Sequence, residues 1–121
     1  MRARGTTAAM ILLAGTISAM AAAIVLSPDE IKATFGTGKP FTAMSRTGGK
    51  AFWFTFKADG SAIETPKGNK KTGTTGTWRV SDKGYCTKWG SGSEHCYTVE
   101  KSGARYDVRD SRGSLISSWS P

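Results

Sequence analysis

Cys86, His95 and Cys96 are the residues best suited to chemistry in this chain, and their spacing decides between several kinds of it. A zinc site needs three or four ligands, usually including a close-spaced pair such as C-x-x-C. Here the closest candidates, His95 and Cys96, are adjacent, so on a strand they point to opposite faces. The cysteines are ten apart and do not form the C-x-x-C redox motif. His95 is the single histidine, no G-x-S-x-G elbow is present, and Gly90-Ser91-Gly92 reads as a turn. Carboxylates are scattered, and the candidate pair Asp107 and Asp110 falls on opposite faces of a strand. These patterns predict a non-enzyme without cofactor or metal, in which Cys86 and Cys96 form a disulfide.

The basic residues offer a different chemistry. Formal net charge is +8, with Lys67, Lys70 and Lys71 clustered in one loop. Arg79, Arg105 and Arg109 project from a predicted outer face. Such charge attracts an anionic envelope component, such as lipid or glycan, or an acidic protein partner. Nucleic acid fits the electrostatics but not an exported protein whose aromatic residues are committed to a core. Trp53, beside Lys50 and Lys57, is the one aromatic expected outside, where it marks a binding face unless a helix covers it.

The segment from Gly76 to Tyr106 must position the cysteines. With the turn centred at Ser91, Cys86 lies opposite Cys96, Tyr85 opposite Tyr97 and Lys88 opposite Glu94. Directly opposed Cα atoms lie roughly 4.5–5.5 Å apart, within disulfide reach. Alternation puts Tyr85, Thr87, Trp89, His95, Tyr97 and Val99 on the core face and the cysteines on the outer face with Lys88, Glu94 and Glu100. On the loop-entropy account, closing this loop stabilises by about 2–3 kcal/mol.

Residues 1–23 have the three parts of a secretory signal peptide: Arg2 and Arg4, an apolar Ala8 to Ile17, and small residues at Ala19-Met20-Ala21 or Ala21-Ala22-Ala23. The competing reading is an uncleaved membrane segment continuing through Ile24-Val25-Leu26. Cleavage removes two arginines and leaves a net charge of +6 on residues 24–121, a length for one β-rich domain. Two cysteines behind an export signal place it in the periplasm or outside the cell. A monomer is expected.

Leu26 to Ile31 opens this domain as a short helix. Ser27 and Glu30 complete a capping box, and Pro28 suits the first turn. Gly36 and Gly38 end the element, which is expected to cover one end of a sheet or barrel. From Pro40 the hydrophobic period becomes two. Strands are expected at Phe41–Arg46, Lys50–Ala58, Ala62–Thr65, Thr75–Ser81, on both sides of the cysteine turn, at Ala104–Asp110 and at Leu115–Ser120. Asp59-Gly60 predicts a type I′ turn that sets Phe56 opposite Ile63, and Leu115 is expected to share a face with Trp119. The fold class is mainly β: an antiparallel meander of seven to eight short strands, in a small barrel or sandwich, the barrel preferred because every connection is hairpin-like.

The L-S-P-D-E-I opening, the F-x-F-x-x-D-G hairpin and the G-x-W segment before two cysteines resemble small exported alpha-proteobacterial proteins in families of unknown function. That resemblance implies a periplasmic or secreted β-domain and supplies no activity. A narrower likeness is carried by Ser102-Gly103-Ala104-Arg105-Tyr106, which is similar to the S-G-x-x-Y loop of periplasmic inhibitors of C-type lysozyme. It implies a lysozyme partner engaged through Ser102. The lysine that follows in that family has no counterpart after Tyr106, where the chain has Arg112-Gly113, and the cysteine placement differs. A structural or stress-protective envelope role is the remaining alternative.

Overall fold

The computed structural model describes residues 23–68 and 73–121. Helix α1 (Pro28–Phe35) starts as its sequence dictates: Ser27 Oγ accepts from the Glu30 amide at 3.2 Å, and the Glu30 carboxylate accepts from the Ser27 amide at 3.1 Å. It stops at Gly36, where an added Cβ would lie 2.7 Å from the Trp78 ring. Ile31 and Phe35, four apart and therefore on one helical face, are both buried.

The strands are β1 (Ile24–Val25), β2 (Phe41–Ser45), β3 (Ala51–Phe56), β4 (Ser61–Pro66), β5 (Thr74–Val80), β6 (Tyr85–Trp89), β7 (His95–Ser102), β8 (Arg105–Arg109) and β9 (Leu115–Ser120). Each of β2 to β9 pairs antiparallel with its neighbour in sequence, and β9 returns to β2, so the meander closes as an eight-stranded barrel. A closed sheet leaves no long unpaired edge, which suits a small domain rich in strands. Beyond the short β6, strand β1 pairs with the free flank of β7, Ile24 opposite Lys101 and Val25 opposite Glu100. Ile24 and Val25 thus belong to the folded domain, whereas the proposed export segment before Ala23 lies outside the described residues.

The cysteine hairpin has the expected register. Tyr85 faces Tyr97, Cys86 faces Cys96 and Thr87 faces His95. The disulfide forms across Cα atoms 4.0 Å apart. It lies on the outer side of the wall, with Cys86 covered and Cys96 exposed. Glu94 reaches β5, where Arg79 donates to it twice, at 2.7 and 3.0 Å, while Lys88 remains a nearby charge.

Two registers differ from the sequence reading. In the β3–β4 hairpin Phe56 faces Ala62, and Ile63 faces Thr55. The loop holds three residues rather than two: Lys57 N donates to Ser61 O at 2.9 Å, with Gly60 at φ 90° inside it. Asp59 stabilises this longer turn by accepting from the Ser61 amide and hydroxyl at 2.9 and 2.6 Å. One added loop residue exchanges the faces of the whole following strand. In β9 the pairing steps from Val108–Ser117 to Arg109–Leu115, skipping Ile116. This bulge turns Ile116 onto the core in place of Leu115.

The core is aromatic. Phe35 caps one end of the barrel and meets Phe41, Trp119 and Tyr106 edge-on, with ring centroids 4.8, 4.9 and 5.0 Å away. Phe56 stacks on Trp78 at 5.0 Å, and the Trp78 indole donates to Lys57 O at 2.7 Å. Phe35→Ala is expected to cost about 3–5 kcal/mol in denaturant unfolding, because three rings lose their shared contact. Reducing the disulfide should cost about 2–3 kcal/mol, a fall in melting temperature on the order of 10 °C. An unchanged melting curve would show that the cross-link contributes nothing to stability.

Candidate ligand cup at the open mouth

Strand direction decides what the two barrel ends contain. Phe41, Phe56, Trp78, Tyr106 and Trp119 crowd the end that α1 closes. Toward the other end the inward positions of β2, β6 and β9 become Ser45, Thr87 and Ser117. These small polar side chains cannot fill the section, and a cavity of about 190 Å³ remains at the mouth. Its floor is formed by Phe56, Tyr85 and Trp119. Along one wall Phe54 stacks on Trp89 at 5.8 Å and follows Phe52 at 6.5 Å, while Tyr97 stacks on Tyr85 at 5.2 Å.

One carboxylate points into this aromatic cup. The three-residue β3–β4 loop puts Ala62, Glu64 and Pro66 on the same face as Phe56, Phe54 and Phe52. Glu64 therefore lines the cavity, and its half-burial raises the carboxyl above the usual value of 4.5. Burial also raises the Tyr97 phenol, opposed by a hydrogen bond with Thr87 and assisted by the charges of Asp110 and Glu64. The fully enclosed Tyr85 is pushed well above its usual range by burial first and Tyr97 second. The two phenols therefore stay neutral beside Glu64, at any pH near neutrality.

The residues singled out from sequence are dispersed around the barrel. Arg105 binds Asp107 at 2.9 Å, and Arg109 binds Glu100 at 3.2 Å. Asp107 is itself buried and also accepts from Ser118 at 3.0 Å. Arg109 thus ties β8 to β7, whereas the Arg105 pair lies within β8. Ser102 and Arg105 pair across a tight turn at the helix-capped end, where Gly103 takes φ 62°. The Tyr106 ring rests on Phe35 there, with Lys101 over it at 5.8 Å. Trp53 stands outside as expected, 43% exposed, but its cation is Lys67 at 5.6 Å rather than Lys50 or Lys57. Lys70 and Lys71 lie outside the described residues.

Among the described residues, Cys86, Glu94 and Cys96 place potential metal-ligating atoms within 4.8 Å of one another. Both sulfurs are joined in the disulfide, so neither is a thiolate that could bind an ion. His95 sits at the barrel lip, exposed, beside the β8–β9 turn.

Sequence reasoning missed the cup because it missed Glu64. The signal was the pentapeptide Lys57-Ala58-Asp59-Gly60-Ser61, which also suits a three-residue loop with glycine last. The chain matches no protein family, curated protein or solved structure.

The raised Glu64 value has a definite sign in stability. Protonated Glu64 favours the folded chain, a contribution complete below the usual value of 4.5 and lost as pH rises through the higher folded-state value. Glu64→Gln remains uncharged throughout. Its melting temperature should exceed that of the parent at pH 7, and the two should converge on acidification below the ordinary glutamate range. An equal difference at every pH would show that the carboxylate is not desolvated.

Proposed function

We propose that this protein is an exported, non-enzymatic binding protein of the periplasm or extracellular space, and that it takes a small molecule into the mouth of the barrel. The observation that carries this reading is the aromatic cup itself. It is open to solvent, sets aromatic rings beside a few polar side chains and has a volume near the ~150 Å³ that accommodates a benzene-sized molecule in a protein cavity. The signal-like residues 1–23 and a disulfide compatible with an oxidising compartment support export.

The lysine-rich loops support an attraction for anionic or partly anionic molecules. Lys50 and Lys67 flank Phe52 at the mouth. Inhibition of a C-type lysozyme would instead use the Ser102–Tyr106 turn at the other end of the barrel. There Ser102 is partly buried and Tyr106 serves as packing for Phe35, so the cup is the better-supported site.

Trp89 and Trp119 both line the cup, and tryptophan emission will report its filling. Titration with a panel of neutral and charged molecules no larger than one substituted ring should give saturable changes. Ser117→Leu, which occupies the mouth with an apolar side chain, should weaken them at least about tenfold while keeping a cooperative melt. Saturation by no member of the panel would set the cup aside and leave a structural envelope role. Catalytic turnover lost on His95→Ala would overturn the non-enzymatic reading.

A further inference from the structure

Three features at the mouth point to one chemistry of ligand. The first is a set of aromatic rings: Phe52, Phe54, Trp89 and Tyr97 all line one small cavity. Ring faces carry negative potential and attract organic cations, most strongly where water is excluded. The second is Glu64, an acidic side chain directed into the same space. A neutral ligand without a hydrogen-bond donor gains nothing from it, whereas an ammonium group compensates the charge that burial penalises. The third is the surrounding loops, which have the opposite sign. Lys50 and Lys67 stand beside Phe52, with Lys67 also reaching over the outward Trp53 ring at 5.6 Å, and residues 24–121 carry +6. A simple cation would be repelled on approach.

A ligand that carries both charges satisfies all three features. We propose that the cup holds the alkylated ammonium group of a zwitterion, with its phosphate or carboxylate turned outward toward Lys50 and Lys67. The inference rests on the reading of the mouth as a small-molecule site and names the class of ligand. A trimethylammonium group suits a cavity of about 190 Å³. It has no N–H donors and so demands none of the hydrogen-bond acceptors that the aromatic walls lack. Its charge is spread over methyl surfaces that can touch rings and carboxylate together. The outward anion supplies the electrostatic steering that the basic loops favour.

The test is calorimetric titration of the purified protein with phosphocholine and with its carbon isostere, in which a tert-butyl group replaces the trimethylammonium. Shape and phosphate are the same, and only the cationic charge is lost. The isostere should bind about tenfold more weakly, as should phosphocholine to Glu64→Gln or Trp89→Leu. Glu64→Gln is expected to fold at least as well as the parent, which keeps its result interpretable. Lys67→Ala should weaken phosphocholine and flatten its salt dependence. Sedimentation with phosphatidylcholine vesicles separates the sources. Binding to vesicles assigns a lipid headgroup, and binding to the free compound alone assigns a soluble zwitterion. Equal affinity for the isostere, or an unchanged affinity in Glu64→Gln, would overturn the inference while leaving a neutral-ligand cup intact. Failure of phosphocholine together with every neutral ring compound would overturn the small-molecule reading itself.

Discussion

Everything in this protein depends on the strict alternation of side chains in a closed antiparallel barrel. With β9 hydrogen-bonded to β2, no strand can shift without moving its apolar set to the solvent face. Turn length is therefore as consequential as composition. The added residue in the loop after Phe56 puts Ala62 beneath a crowded aromatic cluster and sends Glu64 into the lumen. The bulge in β9 performs a similar adjustment on the far side, bringing Ile116 inward where Leu115 would have faced.

The two barrel ends consequently have different physics. Helix α1 delivers Ile31 and Phe35 to one end, where four-residue spacing places both on the helical face that meets the strands. The rings of Phe41, Tyr106 and Trp119 surround Phe35 in edge-to-face contacts, the geometry that ring quadrupoles prefer. At the opposite end no helix intrudes among the described residues. The lining thins to serine and threonine between aromatic rings, and the interior meets water through Glu64 and Tyr97. One end is spent on stability, and the other retains an unfilled, chemically differentiated space.

Charge is divided in the same way. On the outer wall Arg79 is matched to Glu94 in the β6–β7 turn, Arg105 to Asp107 on its own strand, and Arg109 to Glu100 on the neighbouring strand. Exposed pairs of this kind contribute little stability individually. Their effect is to reduce the positive field along the wall. The disulfide sits outside the lumen between β6 and β7. It constrains a glycine- and serine-rich hairpin without taking up interior volume.

Local patterns determined much of this protein by themselves. The Ser27–Glu30 capping box marks the helix start because both partners lie within one turn. The alternating Phe52, Phe54 and Phe56 identify a strand with one apolar face, and the symmetric spacing about Ser91 sets the cysteine register. Each signal is complete within a few residues, and together they were enough for a β meander with a short helix and a disulfide. Tertiary structure alone decided the closure of β9 on β2, the turn of Glu64 into the lumen, and the meeting of Phe52, Glu64, Trp89, Tyr97 and Ser117 at one mouth. These depend on a loop whose sequence suits two lengths and on contacts between strands distant in the chain. The information lies in how the faces add up around the barrel, and no single segment contains that sum.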